Sequence, residues 1–139
     1  MRQRVRKFAQ DTKVPASQTR GEIEDLLTKR KARAVAVFNS VDSVAVVFEM
    51  GERRIIFRLQ MPGEDEARER RRRWRALLLT IKAKLAAVDD GIETFDEAFL
   101  AHIVMPDGLT VAEHTLSNIE SAYKGGPMQP LLPPPRGKP

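Results

Sequence analysis

Between Ala34 and Gln60 the chain holds three short segments that alternate with period two, joined by connections too short for anything but hairpins. Val35 and Val37 alternate with Ala36 and Phe38, and Asn39-Ser40 marks a turn. Val44, Val46 and Phe48 alternate with Ala45, Val47 and Glu49. Met50-Gly51-Glu52 is a tight turn, with Gly51 free to take positive φ. Ile55, Phe57 and Leu59 alternate with Ile56, Arg58 and Gln60, and Pro62-Gly63 ends the run. A parallel crossover needs far more chain than these turns contain. The three strands therefore form an antiparallel meander. So small a sheet cannot bury both faces by itself, and helices must cover one of them.

The flanking segments supply those helices. Thr19-Arg20-Gly21-Glu22 has capping-box spacing, and Ile23, Leu26 and Leu27 follow at helical intervals, so a first helix is expected over about Arg20 to Lys31. A long helix is expected over about Glu64 to Val88, with Ala67, Trp74, Leu77, Leu78, Ile81, Leu85 and Val88 on one face. Asp89-Asp90-Gly91 stops it. Two further capping boxes, at Thr94–Glu97 and Thr110–Glu113, open two shorter helices. The first carries Ala98, Phe99, His102 and Ile103. The second carries Leu116, Ile119 and Tyr123 and stops at Gly125-Gly126. The fold class is thus α+β in the order α-β-β-β-α-α-α. Residues 1–14 read as a basic arm, 15–126 as one domain, and 127–139 as an extended proline-rich tail that Leu131 and Leu132 are placed to pin to the body.

Composition narrows the chemistry. The 139 residues include no cysteine, which removes disulfides, thiolate metal sites and a cysteine nucleophile. No apolar run is long enough to span a bilayer, and no apolar stretch follows the basic N-terminus, so neither a membrane nor a secretory signal is expected and the cytoplasm is the expected compartment. There is no glycine-rich phosphate loop, no nucleophile elbow and no framed pair of acids. His102, Glu113 and His114 lack the spacing of a compact metal signature, and His102 reads as a structural histidine on an apolar side. No enzyme activity, metal or cofactor is expected.

The charge points elsewhere. The formal net charge is +5, concentrated in the arm and at residues 68–75. On the long helix Arg68, Arg72, Arg75 and Lys82 form a stripe on one flank of the buried face. Arg73 and Lys84 lie on the other flank, and Arg70 and Arg71 sit at its edges. Guanidinium groups one helical turn apart can each meet a phosphate. The plainer reading is a solvated face neutralised by Glu64, Asp65, Glu66 and Glu69. Trp74 reads as core in preference to a base-stacking platform. The far face of the sheet offers Arg54, Arg58 and Gln60 and no aromatic reader of the single-strand-binding kind.

Four segments, Val14–Leu27, Val47–Phe57, Arg73–Leu85 and Phe99–Gly108, resemble a family of small bacteriophage- and prophage-encoded proteins, and the likeness runs from about Phe8 to the proline-rich end. Members of that group carry a longer polar insert before the arginine–tryptophan helix; here the chain passes almost directly from Pro62 to it. The resemblance implies a phage role inside a bacterial host cell, either in handling DNA or in blocking a host defence protein. The α-β-β-β-α order also resembles the double-stranded RNA-binding domain, whose basic second-helix start Arg68 to Arg75 loosely echoes. The expectation is a non-enzymatic nucleic-acid-binding accessory protein, with DNA ahead of RNA as partner. Its contacts would be Arg68, Arg72, Arg73, Arg75 and Lys82 with Arg2, Arg4, Arg6 and Lys7 of the arm. The alternative is a protein-binding module that docks on an acidic host surface.

Overall fold

A computed structural model describes residues 13–63 and 65–134. Its elements follow the expected order: α1 (Ala16–Lys29), β1 (Ala34–Asn39), β2 (Ser43–Met50), β3 (Arg53–Gln60), α2 (Ala67–Asp89), α3 (Phe95–Phe99), a 3-10 turn (Leu100–His102) and α4 (Val111–Tyr123). The sheet is a three-stranded antiparallel meander in the order β1-β2-β3. Val46 stands between Val37 and Phe57, and Phe48 between Val35 and Ile55. Gly51 turns β2 into β3 at φ 60°.

Period two decides which face is covered. Val44, Val46, Phe48, Ile55 and Phe57 are buried against Ile23 and Leu27 of α1 and Trp74, Leu77, Leu78, Ile81 and Leu85 of α2. Both helices therefore lie on one face of the sheet. Phe99 closes the core with its ring edge-on to Phe48 and Phe57 at 5.9 and 6.3 Å. Trp74 is 2% exposed and belongs to this core.

Several local expectations change. The first helix begins at Ala16, just after Pro15, whose carbonyl accepts from Gln18 and Thr19 N–H. Proline suits a helix start because its lost donor has no partner there anyway. Thr19 is consequently inside the helix and fully buried, and it caps nothing. The helix ends with Lys31 at φ 70°, where its N–H meets Thr28 O and that of Ala32 meets Leu27 O. α2 begins at Ala67, later than its acidic prelude suggested.

The other two capping boxes form. Thr94 accepts from Glu97 N–H and Thr110 from Glu113 N–H, and each glutamate reaches back to its threonine's N–H. After Phe99 the chain tightens into the 3-10 turn, so His102 lies there and not on α3. The apolar stripe expected to bury α4 points outward instead: Leu116, Ile119 and Tyr123 are exposed, and the helix turns Thr115 inward. Its start is fixed by the Val104–Thr110 bridge and by Val111 N–H on Ile103 O, which set its rotation before its side chains can choose. Of the tail, residues 127–134 are described and hold no helix or strand. Asn118 Nδ2 donates to Pro130 O at 3.2 Å. No helix among the described residues is long and apolar enough to cross a membrane.

Candidate nucleic-acid interface

Two ion pairs set how α1 and α2 lie together. Arg75 donates to Glu22 Oε1 at 2.6 Å, and Arg30 embraces Asp89 with both terminal nitrogens. The partners advance together along both helices, so the two run in the same direction. At 1.5 Å per residue, Ala16 stands about 9 Å before Glu22 and Arg68 about 10 Å before Arg75. The point where the chain enters α1 is thus level with the arginine run that begins α2. Arg2, Arg4, Arg6 and Lys7 lie outside the described residues, and the described chain starts at Lys13, at this end.

The run itself is sorted by partner. Arg68 is exposed. Arg70 turns back over the helix start and donates to Pro62 O at 2.8 Å and Val41 O at 3.4 Å, holding the β1–β2 turn. Arg72 forms a bidentate pair with Glu69, at 3.0 and 2.8 Å, which raises its affinity for its proton further. Arg71 and Arg73 are half-buried, and among the described residues their Nε atoms have no hydrogen-bond partner. Lys84, on the other flank, donates to Ala98 O at 2.9 Å and sits 5.9 Å from the Phe99 ring centre. Lys82 is exposed, within the field of Glu22. The stripe Arg68-Arg72-Arg75-Lys82 is therefore one geometric row in which Arg72 and Arg75 are engaged by carboxylates.

Charge is distributed unevenly along the chain. The described residues hold eighteen of the 24 Lys and Arg and seventeen of the 19 Asp and Glu. The folded body is close to neutral. Most of the +5 belongs to residues 1–12 and 135–139.

The uncovered face of the sheet carries residues that sequence reasoning passed over. Its rows are Phe38–Ala45–Arg58, Ala36–Val47–Ile56 and Ala34–Glu49–Arg54. Phe38 is 63% exposed there, so that face does hold an aromatic ring. Alternation alone assigned Phe38 to this side; what the pattern does not say is that no helix covers it. Beside the face opens a cleft of about 680 Å³ between the sheet and the Leu100–Met105 segment, edged by Arg33, Arg53 and Arg54 and reached by Leu132 of the tail. Each of its arginines has a carboxylate partner, Glu49 being shared by two of them. Arg53 pairs with both oxygens of Asp96 at 2.9 Å, and hydrogen bonds from Arg54 hold the Glu49 carboxyl below its usual range, with Arg33 adding to the pull. Three arginines around two carboxylates make a lattice of ion pairs that fixes Glu49 and Asp96 in place.

The histidines are apart. His102 stacks on Phe57 at 4.0 Å and its Nδ1 meets Ile56 O at 3.2 Å; burial depresses its pKa. His114 Nε2 stands 2.8 Å from Asp107 Oδ2. Glu113 is occupied by the Thr110 cap and lies 3.4 Å from Arg58. Among the described residues no three or more His, Cys, Asp or Glu gather where they would hold a metal ion.

Comparison with known protein families, curated proteins and solved structures finds no match. What this chain does has to be argued from its own geometry. The arrangement gathers arginines and carboxylates together at the start of α2, beside the entry to α1.

Proposed function

We propose that this is a non-enzymatic nucleic-acid-binding accessory protein of a phage or prophage, with its contact surface at the N-terminal end of α2. The observation that carries this reading is the parallel pairing of α1 and α2. It brings the root of the basic arm level with Arg68, Arg71 and Arg73. The proposed phosphate contacts are those of the helix start together with Arg2, Arg4, Arg6 and Lys7, which lie outside the described residues. Arg72 and Arg75 contribute to the field there, but each must first leave a carboxylate. Lys82 extends the row toward the far end of the helix. The neutral body favours contact confined to this end, and phosphate contacts of this kind are tolerant of sequence. Duplex DNA is the first partner to try, RNA the second.

The test is binding to labelled duplex DNA and RNA across a salt series. Each neutralised phosphate contributes about −0.9 to the slope of log affinity against log salt. Removing residues 1–12 should flatten that slope by about 3 to 4, since the arm carries four cations. No binding to either nucleic acid at low salt would end this reading.

A second reading is a protein-binding module that blocks a host protein. It is favoured by one observation, the outward Leu116, Ile119 and Tyr123 of α4, exposed by 63%, 38% and 89%. A stoichiometric protein partner captured from host lysate after nuclease treatment, and lost in Leu116→Asp, would select it.

A further inference from the structure

The two edges of the sheet are treated differently. In β3 the outward backbone groups are those of Arg54, Ile56, Arg58 and Gln60, because Met61 N–H pairs with Asp42 O and fixes the alternation. Val104 N–H takes the carbonyl of Arg54, and the His102 ring takes that of Ile56. This edge is guarded over Arg54 and Ile56, and beyond them Arg58 sets a charge on it. In β1 the Ser40 N–H to Ser43 O bond fixes the opposite parity, so Val35, Val37 and Asn39 turn their N–H and C=O away from β2. Among the described residues no backbone group bonds to them from outside the sheet.

Edge strands are usually defended by a charge, a proline or an overlying element. Ala34–Asn39 has no charge and no proline within it. Val35 and Val37 are only partly buried, so the helices stop short of the rim. The ends of the strand are of opposite character. Before it come Lys29, Lys31 and Arg33; after it come Asp42 and, at the same end of the sheet, the acidic turn that leads into α2. An antiparallel partner of the same sequence would meet this edge with its own ends reversed.

We infer that the β1 edge is a self-association surface, on which a second copy of this chain pairs its own β1 antiparallel about Val37 to make one continuous six-stranded sheet. In that register Val37 pairs with Val37 of the second copy, and Val35 with its Asn39, so every outward group of the strand is used. On the uncovered face Phe38 comes across from Ala36, a large side chain beside a small one. Arg33, which also pairs with Glu49 of its own chain, comes across from Val41 of the second copy, next to its Asp42, and the contact occurs twice by symmetry.

Sedimentation velocity on the full chain over a wide concentration range is the test. The native chain should pass from monomer to dimer and form nothing larger. Ala36→Lys places a charge on the exposed side against Phe38, and Asn39→Pro removes an outward N–H without touching the β1–β2 ladder. Each should weaken the dimer at least tenfold while circular dichroism, and the urea midpoint at concentrations where the native chain is monomeric, stay those of the native chain. Arg33→Glu and Asp42→Lys should each weaken it, and the double exchange should restore it. A native chain that is monomeric at every concentration overturns the inference. So does a dimer unmoved by Ala36→Lys and Asn39→Pro, or a monomer whose Val35, Val37 and Asn39 amides resist hydrogen exchange, which would place another segment of the same chain on this edge.

Discussion

Arg75 donates to Glu22 across 53 residues of sequence and ties α2 to α1 at their shared turn. The guanidinium is therefore a fastening between helices before it is anything else. Arg75→Met should lower the urea midpoint and leave nucleic-acid affinity within about twofold of the native chain. Arg68→Ala and Arg73→Ala should each cut low-salt affinity further, by roughly three- to tenfold. Parallel denaturation and binding titrations on the three variants check both halves.

Trp74 is the chain's one tryptophan and is 2% exposed. Its removal leaves a large cavity between α2 and the sheet. Trp74→Ala should cost about 3–5 kcal/mol, measured by urea denaturation. Because the ring cannot stack on a base without unfolding the core, native Trp74 emission should be that of a buried indole and should not change when DNA or RNA is added.

Lys31 holds a left-handed backbone at φ 70°, where the corresponding position after α2 and after α4 is Gly91 and Gly125. A side chain in that conformation costs about 1–2 kcal/mol. Lys31→Gly removes that strain and gives back part of it through the freer unfolded chain. The net gain should be about 0.5–1 kcal/mol in urea denaturation.

Acid should destabilise the fold in two stages. His102 has its pKa depressed by burial, so the unfolded chain takes up that proton first and stability starts to fall below about pH 6.5. Glu22 beside Arg75, Asp89 beside Arg30 and Asp96 beside Arg53 are all held below the usual carboxylate range. Their contribution is present above that range and is lost as pH drops below about 4. His102→Gln should abolish the first stage and leave the second, as read from urea midpoints across the pH series.

The meander was fully legible because period two and turn length are local properties, and Val44, Val46, Phe48, Ile55 and Phe57 bury as the alternation demands. The α2 stripe from Trp74 to Val88 was legible for the same reason at period 3.6, while Ala67, at the first turn, is exposed. Other features depended on neighbours distant in sequence. Thr19 looks like a cap until Pro15 starts the helix four residues earlier. Leu116, Ile119 and Tyr123 look like a core stripe until the Val104–Thr110 bridge fixes the rotation of α4. The partners of Arg72 and Arg75 split in the same way. Glu69 lies three residues from Arg72, and that pairing was foreseeable; Glu22 could be matched to Arg75 only once α1 and α2 were known to run together. The exposure of Phe38 likewise follows from which face the helices choose.

The guard that Val104 and His102 place on β3 limits what the sheet can become. A strand template at both edges would let copies add without end, as in a fibre. With one edge partly occupied by its own chain, a sheet joined through the other keeps only the short, arginine-bearing Arg58–Gln60 end as a template, too little for growth past a single step.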